Sequence, residues 1–299
     1  MKIRWARVVR LTVFSLVLLL MGGNFSAAWL FVEVLIHPPC ASPSPLKNFP
    51  TPEPIQLHTD DGILIPAWYF PSQNGAAIIT LGGLGGAVGN TQPPAEPLLE
   101  AGFGVLQIGS RACATPRVPV TLGAKEEMDA AAGLAFLLTR EEVDPARIGI
   151  FGFSMGGVGA IRTAARYPEL AAVLAEGGYF NLGDDFVEPE LEEAFPRKIL
   201  LYTIAGVFWL RTGVNPWEIS PVDEIGMISP RPVLLIYGEH EAESGRAQLQ
   251  YEAAGEPKEL WIVPGGDHGK NYRIAPGEYS QKVLEFFNHS LLDVITHQE

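Results

Sequence analysis

The sequence predicts an α/β fold, with a mostly parallel central sheet and helices on both faces. Three observations predict it. From about residue 55 onward, short apolar runs alternate with segments of helical periodicity. Several of those runs stop at glycine, as buried strands do where they leave a sheet. The run 147–151 leads through Gly152-Phe153-Ser154-Met155-Gly156-Gly157 into an alanine-rich helix, so a sharp turn joins a strand to a helix.

The elements follow in order. Residues 55–58 and 63–70 flank Thr59-Asp60-Asp61-Gly62 and read as a hairpin, which supplies an antiparallel edge. Residues 76–81 form a buried strand that ends in Gly82, Gly83, Gly85 and Gly86. A helix over 94–101 and a strand over 104–108 come next. Residues 125–139 place Met128, Ala131, Ala132, Leu134, Ala135 and Leu138 on one side of a helix. The strand 147–151, the helix 156–166 and the strand 171–175 follow. Pro230-Arg231-Pro232 introduces a strand over 233–237. A helix over 245–254, a strand over 259–263 and a last helix over 277–292 complete the pattern.

Two stretches stand outside this rhythm. Residues 179–227 are too long for a simple connection. They begin acidic (Asp184, Asp185, Glu188, Glu190, Glu192, Glu193) and turn apolar over 199–210. They read as a helical insertion capping the mouth of the sheet, or as a core helix with a polar lead-in. Residues 11–36 are almost wholly apolar, interrupted by Asn24 and Glu33, and follow Lys2, Arg4, Arg7 and Arg10. A helix of that length can cross a hydrocarbon core about 30 Å thick. The basic leader keeps the N-terminus cytoplasmic, which places the rest outside the cytoplasm as a single-pass protein of the cell membrane. A cleaved signal peptide is the rival reading, with Ser26-Ala27-Ala28 as the small-residue site. The apolar run continues past that site to Ile36, which favours an uncleaved anchor. The domain organisation is then an anchor over 1–36, a Pro-rich spacer over 37–54, a catalytic domain over 55–292 with its cap at about 179–227, and a tail over 293–299.

Composition limits the function. The 299 residues are 47% hydrophobic and 18% charged, enough for one large core. The formal net charge is −13, although four of the basic residues lie in the leader. The rest is more acidic still, which excludes binding to phosphate backbones and electrostatic docking on anionic lipid. Two cysteines, Cys40 and Cys113, are too few for a disulfide scaffold, and their spacing matches no zinc site. They are either two unpaired thiols or, with the domain outside the cell, one bridge. Oligomeric state is not readable.

The chemistry centres on Ser154. In a strand–turn–helix G-x-S-x-G the turn is too tight for side chains near the serine, and the serine oxygen stands above the sheet. The following helix directs free N–H groups toward the reacting oxygen. A serine hydroxyl needs a base to take its proton. His268 offers one, in Pro264-Gly265-Gly266-Asp267-His268-Gly269 after the last strand. A carboxylate should orient that imidazole. Gly238-Glu239-His240-Glu241 follows the preceding strand, with Glu241 as the first choice and Glu239 as the second. An oxyanion hole needs two N–H donors. Met155, just after the serine, and Leu84, in the glycine cluster, are the candidates. No metal or organic cofactor is required.

These residues carry a resemblance. The sequence resembles the bacterial α/β-hydrolases related to dienelactone hydrolases and the prolyl-oligopeptidase catalytic domain, in the subgroup with an N-terminal membrane helix. The likeness covers most of 50–292. It rests on Asp61-Gly62, the glycines at 82–86, Asp144-Pro145-Ala146-Arg147-Ile148-Gly149, the elbow, Pro230-Arg231-Pro232-Val233-Leu234-Leu235-Ile236, and Pro264 to Gly269. It implies an α/β-hydrolase fold, the chain order Ser154, Glu241, His268, and a small-molecule or acyl substrate. The reaction implied is cleavage of a carboxylic ester, thioester or peptide-like bond through an acyl-enzyme. Three positions depart from the family pattern. Gly82 stands where a histidine commonly precedes the oxyanion-loop glycine. Glu241 stands for aspartate. Arg111-Ala112-Cys113-Ala114 replaces Arg-Gly-His-Gly. These departures motivate an alternative, a non-catalytic membrane-tethered binding protein. An acyltransferase would use the same three residues.

Overall fold

A computed structural model of the chain describes residues 2–40, 49–84, 88–187 and 195–293. Helix α1 (Lys2–Ile36) precedes a hairpin of β1 (Glu53–His58) and β2 (Leu64–Phe70). Then come β3 (Ala77–Leu81), α2 (Val88–Glu100), β4 (Gly104–Ile108), α3 (Glu126–Leu137), β5 (Ile148–Phe153), α4 (Met155–Arg166) and β6 (Leu170–Glu176). The insertion contains α5 (Leu182–Val187), α6 (Phe195–Thr212) and α7 (Pro221–Glu224). The chain finishes with β7 (Val233–Gly238), α8 (Glu239–Ala242), α9 (Arg246–Ala253), β8 (Lys258–Val263), α10 (Asn271–Ile274) and α11 (Pro276–Phe287). Each expected strand is present. Helix α2 starts six residues earlier than expected, because Gly89, Pro93 and Pro94 in its first turns mask the helical periodicity. Gly85, Gly86, the later acidic residues of the insertion, residues 41–48 of the proposed spacer and most of the tail lie outside the described residues.

The eight strands form one sheet in the order β1-β2-β4-β3-β5-β6-β7-β8. Only the β1/β2 and β2/β4 pairings are antiparallel, so the hairpin forms the antiparallel edge. Strands β3 and β5 are buried at every position, as expected of parallel strands covered on both faces. Alternation sends Ile79, Leu81, Ile150 and Leu235 to one face, where Ala130 and Leu134 of α3 and Ala160 and Ile161 of α4 cover them. It sends Ile78, Phe151, Leu174 and Ile236 to the other, under Leu98 of α2 and Tyr279, Val283 and Phe287 of α11. Each such side chain contributes about 1.5–3 kcal/mol on burial.

A third apolar cluster sits above the C-terminal ends of the strands. It joins Ala28, Val32 and Ile36 of α1, Met155 and Val158 of α4, and Ile204, Val207 and Phe208 of α6. The last three turns of α1 are therefore part of the domain's packing. Glu33 of α1 is ion-paired with Arg211 of α6, whose guanidinium lies 4.9 Å from the Trp29 ring centroid. Beyond the helix, Val120 N–H donates to Ile36 O at 2.9 Å and Arg117 donates to Pro38 O at 2.7 Å. Cys40 and Cys113 are disulfide-bonded. The bridge resolves the two readings left by the sequence. Of the proposed spacer, His37 to Cys40 is thus tied to the domain, and β1 already begins at Glu53.

Candidate active site

Three parallel strands, β5, β7 and β8, deliver the three sequence-predicted residues to the C-terminal end of the sheet, with β6 between the first two. Ser154 follows β5 and holds φ +55°, ψ −120°, a region costly for a residue with a Cβ. Two glycines permit the turn. A Cβ at Gly152 would overlap the Gly156 carbonyl, and one at Gly156 would overlap the Leu81 carbonyl at the end of β3.

His268 Nε2 lies 2.9 Å from Ser154 Oγ, and His268 Nδ1 lies 2.8 Å from Glu241 Oε1. With its proton on Nδ1 donated to Glu241, the imidazole leaves Nε2 to accept from the Ser154 hydroxyl. The hydrogen bond to Glu241 raises the His268 pKa above the ordinary histidine value, against the opposing effect of burial. The extra methylene of glutamate is accommodated because Glu241 sits in the short helix α8, which follows β7 directly. Glu239, the second-choice carboxylate, does something else: it accepts the Gly265 N–H at 2.7 Å and holds the histidine loop. His240 is exposed and faces Glu243.

Of the two oxyanion candidates, Met155 adjoins the serine and Leu84 follows a glycine that approaches it. Met155 opens α4, where the first N–H groups of a helix have no partner within it. Gly82 and Gly83 line one small cavity together with Met155 and Gly156. A Cβ at Gly83 would lie 3.4 Å from Ser154 Cβ and 3.1 Å from the Phe153 ring, so a larger residue there would press on the elbow. Leu84 follows, its side chain half-buried against the third cluster.

Sequence reasoning missed two features. The first is Glu176, the last residue of β6. Its carbonyl accepts the Ser154 N–H at 2.7 Å. Its buried carboxylate accepts from Asn271 Nδ2 at 3.0 Å and from Tyr279 Oη at 2.5 Å, both beyond the histidine loop. Burial pushes its pKa up to about 7. The signal was a lone carboxylate closing an apolar strand before Gly177-Gly178. The second is Gly177 itself, at φ +61°. A Cβ there would stand 2.9 Å from Glu241 Oε1 and 3.0 Å from His268 Nδ1.

A cleft opens over Ser154 between Tyr179 and Asp185 on one side and Tyr237, His240, Ser244 and Arg246 on the other. Arg246 of α9 is ion-paired with Asp185 of α5, which ties the cap to the rim. Polar side chains dominate this lining. Among the described residues α6, the apolar part of the cap, supplies none of them.

Comparison with known proteins agrees with this architecture. Residues 113–206 match the model of the dienelactone hydrolase family. The Mycobacterium tuberculosis protein Rv2307c is 31% identical over 266 residues, 86% of this chain and 88% of its own length. Escherichia coli YfhR is 25% identical over 256 residues, 80% of this chain and 81% of its own. Among solved structures, the Pyrococcus furiosus esterase Pf2001 superposes with a TM-score of 0.65 at 23% identity, covering 86% of this chain and all of that one. The fold, the family model and a full-length relative coincide, and the chain belongs to the α/β-hydrolases of the dienelactone hydrolase family.

Proposed function

We propose that the protein is a serine hydrolase, held at the cell membrane by α1 with its catalytic domain outside the cytoplasm. It cleaves a carboxylic ester, thioester or peptide-like bond. The observation that carries this reading is the unbroken contact chain Ser154 Oγ–His268 Nε2 and His268 Nδ1–Glu241 Oε1, at 2.9 and 2.8 Å. Ser154 Oγ attacks the carbonyl carbon as His268 Nε2 takes its proton. The negative charge on the carbonyl oxygen falls to the N–H groups of Met155 and Leu84. The bond to the leaving group breaks, and His268 returns the proton to that group. Water then attacks the acyl-enzyme, gives its proton to His268, and the acid leaves as Ser154 regains its hydrogen.

The anchor reading is supported by the span Arg7–Ile36, 30 residues of mean hydropathy 1.8. The basic residues before it and the Cys40–Cys113 bridge both favour an exported domain.

The test is labelling of the purified full-length protein with a fluorophosphonate probe, beside Ser154→Ala and His268→Ala. Labelling of the wild type alone supports the reading. A folded wild type that does not label rejects it in favour of a tethered binding protein. Transfer of the acyl group to an added alcohol or amine faster than to water would identify an acyltransferase.

A further inference from the structure

Between Ile199 and Leu210, helix α6 is apolar on every side, although it lies on the surface. Its inner face is buried through Ile204, Ala205, Val207 and Phe208. Between Ile199 and Leu210 the exposed positions are Ile199, Tyr202, Gly206, Trp209 and Leu210. At 3.6 residues per turn these five fall within an arc of about 100°. Their face carries no charge over three turns, while Arg197 and Lys198 are exposed at its start. The four large side chains on it are 46–68% exposed. A helix apolar all round belongs in a core or in lipid, and water is the one surrounding that does not suit it. Gly206 has nothing within 4 Å of where a Cβ would lie, so no other part of the described chain covers the middle of this face.

What lies beside α6 identifies the cover. Helix α1 packs along it through Val32 and Ile36, the Glu33–Arg211 ion pair and the Trp29–Arg211 stack. The outward side of α1 in the same stretch is Leu30, Phe31 and Val34, at 67%, 52% and 77% exposure. The 30-residue span Arg7–Ile36 is about 45 Å long at 1.5 Å per residue, against a hydrocarbon core of about 30 Å. With Arg7 and Arg10 at the cytoplasmic headgroups, the excess falls at the other end, where α1 meets α6. The exposed apolar faces of α6 and of the end of α1 thus flank one helix–helix contact at the outer end of the span.

We propose that α6 and the end of α1 are seated together in the outer leaflet of the bilayer, so that the cap is a half-immersed interfacial element and the domain is held against the lipid surface. The inference rests on the reading of α1 as a membrane span. The occupant of the apolar face is lipid. Trp209 and Tyr202 are residue types that prefer the headgroup boundary, and Arg197 and Lys198 stand where a helix entering that boundary meets phosphate. The net acidic domain alone would be repelled by an anionic leaflet, so the attraction has to come from this apolar face and the anchor.

The test uses the full chain reconstituted in phosphatidylcholine–phosphatidylglycerol vesicles. An environment-sensitive fluorophore is attached at Leu16→Cys, Tyr202→Cys, Leu210→Cys or Gln281→Cys. All four positions are exposed, and the native cysteines are bonded to each other. Expected are strong quenching at position 16 by a deep lipid nitroxide and at 202 and 210 by a headgroup-level nitroxide. Iodide should quench at 202 and 210 about threefold or more weakly than at 281, which faces water. If 16 is quenched in the bilayer while 202 and 210 are as open to iodide as 281, the seating is overturned and the anchor stands. If 202 and 210 are shielded from iodide without lipid quenching, a second copy or another protein covers them, and the seating is overturned. If 16 itself is open to iodide, the anchor reading fails and the seating fails with it.

Discussion

The backbone N–H of Ser154 donates to the Glu176 carbonyl at 2.7 Å, so the candidate nucleophile hangs from the same residue whose carboxylate holds Asn271 and Tyr279. Glu176 thus links the elbow to the segment that follows the histidine loop, and its titration should be visible in stability. Its folded pKa of about 7 lies above its ordinary value of 4.5. The contribution is then fully present below 4.5 and lost as pH rises through about 7. At 1.36 kcal/mol per unit, roughly 3 kcal/mol is at stake. Glu176→Gln keeps one oxygen to accept from Asn271, turns an amide N–H toward Tyr279 Oη, and removes the titration. Chemical denaturation of the two proteins across this range should show the wild type losing stability relative to the variant as pH rises. A constant difference would refute the role assigned to Glu176.

The His268–Glu241 pair makes a kinetic prediction. The proposed base must be neutral to act, and Glu241 holds the imidazole pKa above the ordinary histidine value. The acid limb of kcat/KM should therefore have its midpoint above that value. Glu241→Gln should move the limb to lower pH and, by loss of the correct tautomer, reduce kcat by about 10³- to 10⁴-fold. A limb that stays in place in the variant would assign the titration to another group.

Gly177→Ala should damage chemistry more than folding. The added Cβ would press on Glu241 Oε1 and His268 Nδ1, and the residue sits at φ +61°. A stability loss of about 1–2 kcal/mol is expected from the backbone. The displaced pair should lower kcat at least tenfold, with KM little changed because binding contacts elsewhere are untouched. Equal losses in folding and in substrate binding would contradict this geometry.

The Cys40–Cys113 bridge closes a loop with a sequence separation of 73. Its removal by Cys40→Ser with Cys113→Ser should cost about 4 kcal/mol on the chain-entropy scale. Thermal unfolding in detergent checks this. Since the bridge ties the end of α1 beside the cap, the same variant should also expose the 37–40 segment to limited proteolysis.

How much of this was legible in the sequence follows from which forces are local. The strand alternation, the elbow glycines and the Gly-rich histidine loop each leave a pattern in a few consecutive residues, and the sheet and the Ser154–His268 contact could be read from them. Glu241 ranks above Glu239 in the sequence, but the part each plays, facing His268 or the Gly265 N–H, has no local pattern to mark it. Glu176 and Gly177 act across strands, on partners 95 and 103 positions away and on a histidine from another loop, so no local pattern marks them. The end of α1 misled for a related reason. An apolar helix looks the same in sequence whether lipid or protein covers it, so residues read as pure anchor also pack in the domain.

The packing of the end of α1 separates anchor from signal peptide by experiment. Ile36 has no exposed surface, packs with the third cluster, and its carbonyl accepts from Val120. If α1 were discarded after Ala28, Val32 and Ile36 would remain as a short fragment lacking the turns that hold it, and Ile36 would contribute little. With α1 retained, Ile36→Ala should destabilise the domain by about 2–4 kcal/mol, the usual cost of truncating a fully buried aliphatic side chain. Val34→Ala, three-quarters exposed on the same helix, should cost much less in detergent. Denaturation of both variants, beside N-terminal sequencing of the protein recovered from membranes, should give an intact leader together with this contrast. A processed N-terminus and two silent variants would show that the helix is a transient signal and that the mature domain stands without it.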